Sequence, residues 1–178
     1  MTTSQVLYLG LIAATAGERL AELAISRRNA AWSFERGGRE HGRSHFPFLV
    51  VLHGGLLAGA PAEVLLLDRP FAPASGWPAF AAALLAQALR WWCIATLGRR
   101  WNTRVIAIPG MPLVTGGPYR FPWLRHPNYV AVVVEGIALP LVHGAWITAA
   151  AFTGLNAVAL AVRIRVEERA LAEASAPP

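Results

Sequence analysis

Two short stretches hold most of the side chains able to do chemistry. Arg125-His126-Pro127-Asn128-Tyr129 sets a cation, an imidazole and a phenol close together, and Glu167-Glu168 adds two carboxylates further along the chain. Ahead of them, Gly116-Gly117-Pro118-Tyr119-Arg120 reads as a turn in which backbone groups can approach a ligand closely. Pro127 fits the first turn of a helix, so Arg125 and His126 stand at a helix N-terminus and Tyr129 follows in that turn. A cation can hold an anionic oxygen, and an imidazole or a carboxylate can move a proton. The informative region opens at Leu97-Gly98-Arg99-Arg100-Trp101-Asn102-Thr103 and closes at Arg163-Ile164-Arg165-Val166-Glu167-Glu168-Arg169-Ala170-Leu171.

The elements that must position these residues are apolar. Of 178 residues, 55% are hydrophobic and only 15% charged, and the mean hydropathy is +0.43. Soluble domains are nearer 25% charged, so an ordinary cytosolic enzyme and a disordered chain are both excluded. Five apolar spans emerge, at residues 5–25, 46–67, 77–97, 129–142 and 145–162. The first three can cross a ~30 Å hydrocarbon core at about 1.5 Å per residue. The fourth is short, is joined to the fifth only through His143-Gly144, and should form a tight helical hairpin with it. Pro140 should end or kink the fourth near its tip. The expected fold is all-α, a polytopic integral membrane protein of about five transmembrane helices in a single domain spanning 1–178.

Such a hairpin returns Glu167-Glu168 to the membrane level of His126, so that cation, imidazole, phenol and carboxylates converge at one face. The loops predict which face. All 16 basic residues are arginine. They crowd into residues 26–45, 98–125 and the tail from 163, whereas 68–76 holds only Arg69 and the hairpin tip none. The positive-inside rule then puts the N-terminus outside and the C-terminus inside, with the site facing the cytoplasm of a bacterial inner membrane. The same placement explains the basic pI of 11.0 without nucleic acid, which is not an expected partner. Residues 1–5 carry no basic stretch and do not read as a cleaved signal peptide. The Ala/Pro tail at 174–178 reads as frayed.

Several ionisable residues fall inside the spans: Glu18, Arg19, Glu22, His53, Glu63, Arg90 and Glu135. Each is costly in lipid and should face the interior, either in interhelical ion pairs or lining a substrate cavity. His53 reads as a packed, hydrogen-bonded histidine. Five histidines without ligand spacing and a single cysteine, Cys93, predict no metal site and no intramolecular disulfide. Trp91, Trp92, Trp101 and Trp123 read as an interfacial aromatic belt.

In these motifs the chain resembles the isoprenylcysteine carboxyl methyltransferase family of integral membrane, S-adenosylmethionine-dependent methyltransferases. The family signature is Arg-His-Pro-x-Tyr, then a helical hairpin, then a Glu-Glu pair, and it covers residues 97–171 here. Five residues separate Tyr119 from Arg125, a longer gap than the family's usual one. In the N-terminal half, Glu22 to Asn29, Gly38-x-Glu40-x-Gly42-x-x-His45-Phe46-Pro47 and His53 resemble a bacterial subfamily. Members of that subfamily are associated with type III polyketide synthases and methylate alkylpyrones or alkylresorcinols on oxygen.

The resemblance implies S-adenosylmethionine as cofactor, with S-adenosylhomocysteine as product, held by Gly117, Pro118, Tyr119, His126, Tyr129 and Glu167. It implies Arg125, His126, Arg165 and Glu168 as catalytic residues, with the two arginines holding the acceptor oxygen. The expected partners are a lipophilic small-molecule acceptor and membrane lipid, without an obligate protein partner. A prenylcysteine carboxyl or phospholipid N-methyltransferase is the rival enzyme. A non-enzymatic scaffold would explain the spans but not the ordered motifs.

Overall fold

The computed structural model describes residues 1–175, the side chains of His45 and Ser175 apart; residues 176–178 of the Ala/Pro tail and the His45 side chain of the subfamily motif lie outside that description. Most of the described chain is helical. The helices are α1 (Thr3–Phe34), α2 (Phe46–Leu66), α3 (Pro73–Leu97), α4 (Pro127–Leu141) and α5 (Trp146–Ser175). Two short strands, β1 (Arg39–His41) and β2 (Val105–Ala107), pair antiparallel with Glu40 opposite Ile106. That ladder departs from an all-helical reading. Its segments are three residues each and one is wholly polar, too little for a period of two to show.

Among the described residues, three helices are long and apolar enough to cross a membrane: α2, α3 extended to Arg100, and α5. Large apolar side chains on them, including Val51, Leu66, Leu85 and Val158, are exposed. Such a surface suits lipid contact and would be a liability in water. Helix α1 spans 32 residues, about 48 Å, but carries Glu18, Arg19 and Glu22. Helix α4 has 15 residues, about 22 Å, and is shorter than a bilayer core.

Helix α1 begins with a capping box in which the Thr2 hydroxyl accepts from Gln5 N and Gln5 Oε1 accepts from Thr2 N. Pro127 stands in the first turn of α4, and Pro140 in its last. A turn over residues 142–145 leads straight into α5, and α4 and α5 pack on each other. Gly136 makes that approach possible, because a Cβ there would lie 2.1 Å from the Phe152 ring. The apolar core joins Tyr8 and Ile12 of α1 to Ala60 and Val64 of α2 and Leu139 of α4. A second cluster packs Leu49, Leu52 and Leu56 on Phe152 and Ala159.

Polar groups inside the spans are paired across helices. Arg90 Nη2 lies 2.8 Å from Glu135 Oε2 and Arg90 Nε 3.6 Å from Glu22 Oε1. Arg19 pairs with Glu22 at 2.9 Å and reaches Glu135 at 3.7 Å. This ion-paired ring ties α1, α3 and α4 together. His53 is hydrogen-bonded through Nδ1 to Leu49 O at 2.8 Å, and its ring packs edge-on against Phe152.

Candidate active site

Helix α5 continues well past its apolar part, and one face of that extension turns inward. Arg163, Glu167, Leu171 and Ala174 recur at helical spacing and line one side of a cavity of about 550 Å³. His126, Asn128 and Tyr129 from the start of α4 form another wall, and Trp101, Asn102 and residues 104–108, including all of β2, a third. Tyr119, Phe121, Pro122 and Arg125 complete it from the long connection. The volume lies in the usual range of small-molecule sites.

A chain of polar contacts fixes these walls. Tyr129 Oη donates to Glu167 Oε2 and accepts from Arg163 Nε at 3.0 Å. Arg163 Nη2 donates to Thr103 O at 2.6 Å. Thr103 N in turn donates to Ser26 Oγ at 3.0 Å, and Asn29 Nδ2 donates to Trp101 O at 2.7 Å. Glu22, Ser26, Asn29 and Ser33 are all buried and share one face of α1. That polar stripe within a helix was a readable signal, and it is what anchors the 98–103 segment. His126 Nε2 lies 3.4 Å from Glu168 Oε1, and its ring stacks on Tyr129 with centroids 5.5 Å apart.

Gly117 and Pro118 do not line the cavity. They form a 3₁₀ turn, Gly117–Arg120, seated on α3. Gly117 has φ +53°, and a Cβ there would lie 2.2 Å from Thr96 Oγ1, so close docking excludes any side chain. Pro118 is buried, and the seated turn delivers Tyr119 to the cavity wall. The Tyr119 side chain bonds to Cys93, and burial, with Cys93 adding to it, raises its phenol above the ordinary 10.0. It stays neutral.

Of the residues singled out in the sequence, Tyr119, Arg125, His126, Tyr129 and Glu167 come together around the cavity. Glu168 is exposed and meets the group through His126. Arg165 is exposed and lines no described cavity. Arg163, four residues before Glu167 and therefore on the same face, lines the cavity instead.

A second, apolar groove of about 440 Å³ lies along α4 and α5. Val130, Val133, Val134, Leu160 and Ile164 form its floor, and it shares Arg125, His126 and Tyr129 with the first cavity.

The profile of the Isoprenylcysteine carboxyl methyltransferase (ICMT) family matches residues 79–173, which supply most of the lining of both spaces. The chain belongs to that family. Among curated proteins it is 40% identical over 166 residues to Uncharacterized protein YpbQ of Bacillus subtilis (strain 168), covering 93% of this chain and 96% of the relative. It is also 27% identical over 154 residues to an Uncharacterized protein of Haemophilus influenzae, covering 86% and 88%. No solved structure matches the chain.

ICMT membership, with the three apolar helices, makes this an integral membrane protein and implies methyltransferase activity. Members of the family use S-adenosylmethionine as methyl donor. The residues here fit such a ligand. Glu167 offers a carboxylate to its positive groups, the arginines in the lining offer partners to its own carboxylate, and its size matches the cavity. Among the described residues no cluster of His, Cys, Asp or Glu could hold a metal ion.

Proposed function

We propose that the protein is an S-adenosylmethionine-dependent O-methyltransferase acting on a lipophilic acceptor, a long-chain alkylpyrone or alkylresorcinol. The observation that carries this reading is the meeting of the cavity that holds Glu167 and the apolar groove at Arg125, His126 and Tyr129. One space suits a charged, soluble donor and the other an alkyl chain. The proposed topology is five spans, α4 and α5 forming a hairpin, with the N-terminus outside and the cavity at the cytoplasmic face. Arginine-rich loops on that side support it.

When bound, S-adenosylmethionine supplies an electrophilic methyl group. The chain's own contribution is to position, which supplies most of the rate in a displacement between two held partners. Glu167, oriented by the Tyr129 hydroxyl, attracts the positive donor. The apolar wall of Val105, Ile106 and Phe121 keeps water from the reacting atoms. Arg125 faces both spaces and holds an anionic acceptor oxygen as a permanently charged guanidinium. Arg165, outside the lining, is given no such role. For a phenolic acceptor a base is needed. His126 Nε2 faces Glu168, which leaves Nδ1 as the ring nitrogen that takes the proton.

The test is methyl transfer from labelled S-adenosylmethionine to matched pyrone, resorcinol, phosphatidylethanolamine and farnesyl-cysteine substrates. Turnover of the first two is expected, with affinity rising by about 0.8 kcal/mol per buried methylene of the alkyl chain. Resorcinol turnover should climb with pH as the phenol ionises, and pyrone turnover should be flatter. Activity confined to the last two substrates would overturn the polyketide assignment.

A further inference from the structure

Arg165 lines no described cavity, and several other arginines at its end of the bundle are equally idle. The side chains of Arg27, Arg28, Arg99, Arg165 and Arg169 are exposed. Among the described residues none of the five makes a hydrogen bond, an ion pair or a ring contact. Three of them stand where an apolar outer stripe stops. On α5 the exposed stripe runs Leu155, Val158, Val162 and then Arg165 and Arg169, at alternating steps of three and four residues. On α1, Val6, Ala13 and Leu20 recur every seven residues on an exposed face, and Arg27 is the next member. On α3, Leu85, Ala88, Trp92 and Ala95 share an exposed face, and Arg99 follows in the turn at its end. Thr103 ties the three levels together: its N donates to Ser26 Oγ beside Arg27, and its O accepts from Arg163 Nη2 two residues before Arg165. Three helices therefore change from apolar to cationic at one level, the level of the cavity.

We propose that this arginine collar binds the headgroups of anionic phospholipids in the leaflet on the cavity's side. A guanidinium stays charged and meets a phosphate in a two-pronged hydrogen bond. A cation that continues a lipid-facing stripe lies at the depth where lipid phosphates begin, and it gains from a negative surface there. The carboxylates at this end are mostly engaged elsewhere. Glu35 and Glu40 pair with Arg36 and Arg104, Glu167 accepts from Tyr129, and Glu168 faces His126. The exposed indoles of Trp91, Trp92 and Trp123 lie at the same end, and indoles favour the membrane interface. Continuity with the apolar stripes selects a membrane lipid over a soluble polyanion, which would leave the apolar part of each stripe unused. Arg69, at the opposite end, is not of this kind, because Glu63 pairs with it. The collar takes no part in the chemistry and does not depend on which acceptor is methylated. It sets the depth at which the cavity and the groove meet the bilayer.

The experiment is quenching of tryptophan fluorescence by brominated phosphatidylglycerol and by brominated phosphatidylcholine, each added to the whole chain in nonionic detergent micelles. It compares wild type with a variant carrying Arg27→Gln, Arg99→Gln and Arg165→Gln together. Wild type should be half-quenched at a mole fraction of the anionic lipid about fivefold or more below that of the zwitterionic one, the scale set by one cation at an anionic surface. In the glutamine variant the two lipids should fall within about twofold of each other, with the melting temperature unchanged. Lysine at the same three positions keeps the charge and should keep the preference, a rescue that altered packing would not give. Should the triple glutamine variant fail to fold, the three single substitutions decide the matter, each removing part of the preference. A wild-type ratio under about twofold, or a preference that survives in the glutamine variants, overturns the proposal. So does tight binding of polyglutamate by a wild type that does not distinguish the lipids, which would assign the collar to an acidic protein partner.

Discussion

The two ends of the helical bundle use the same residue types to opposite effect. At the α4–α5 turn, the Glu63 carboxylate accepts from Ile147 N, Thr148 N and Thr148 Oγ1 and pairs with Arg69 at 3.1 Å. It caps α5 from a neighbouring helix, where a negative charge is favoured by the helix dipole. Around it His143 Nε2 meets Ser4 Oγ at 3.2 Å, and Gln5 Nε2 donates to Asp68 at 3.2 Å. At the other end, Glu167 accepts from Tyr129 and borders open space. A carboxylate held by neighbouring donors is therefore a strut in one place and, half-buried, part of the candidate site's wall in the other. What separates them is whether the surrounding donors saturate it.

The sharpest way to break that comparison is to remove both carboxylates. Glu63→Ala should destabilise the protein by about 3–5 kcal/mol, because Arg69 and three donors lose their acceptor. Glu167→Ala should leave the unfolding transition nearly unchanged and abolish S-adenosylhomocysteine binding. Denaturant unfolding in detergent alongside titration calorimetry reads both. Equal destabilisation by the two would erase the distinction drawn here.

A narrower contrast pits Arg163 against Arg165. Arg163→Ala removes the bond to Thr103 O and the support of Tyr129, at a cost of about 1.5–3 kcal/mol in ligand affinity. Arg165→Ala should change neither affinity nor melting.

Gly117→Ala tests the docked turn. A clash with Thr96 combined with φ +53° should cost roughly 1–3 kcal/mol and weaken binding through a displaced Tyr119. Adding Thr96→Ala should recover part of the loss, the remainder being backbone strain. Full recovery would mean that the turn conformation carries no cost.

The smallest effect concerns pH. Because burial holds the Tyr119 phenol above its ordinary 10.0, the unfolded chain loses that proton first as pH rises. Its contribution to stability is complete below about pH 10 and declines above it. A spectroscopic titration at the phenolate absorbance should find fewer tyrosines titrating near pH 10 in the folded protein than in the unfolded chain, and Tyr119→Phe should shrink that deficit by one. If Tyr119→Phe leaves that deficit unchanged, the phenol is not held by its surroundings.

The helices were legible from hydropathy because each apolar run is long, and α2 begins at the residue expected of it. Their polar extensions were not. Helix α1 runs on to Phe34 and α5 to Ser175, since the polar ends are held by tertiary contacts such as Ser26 with Thr103 and by Ala170 packed on β2. That Arg90 and Glu135 face the interior followed from the cost of charge in lipid, but which ions pair with which did not. Motif spacing found His126, Tyr129 and Glu167, but it could not tell that Gly117 and Pro118 seat the turn on α3 while Tyr119 alone reaches the cavity. Nor could it choose Arg163 over Arg165. That choice depends on which face of α5 turns inward, and helical spacing from Glu167 supplies it only once Glu167 is known to face the cavity.

The central claim is that the cavity between α4, α5 and the 101–126 connection holds the methyl donor. Equilibrium dialysis of labelled S-adenosylmethionine against folded protein in detergent tests it most directly. Saturable binding at one site per chain is expected, displaced by S-adenosylhomocysteine, lost in Glu167→Ala and retained in Arg165→Ala. Absence of saturable binding by the folded wild-type protein, or binding untouched by Glu167→Ala, would contradict it.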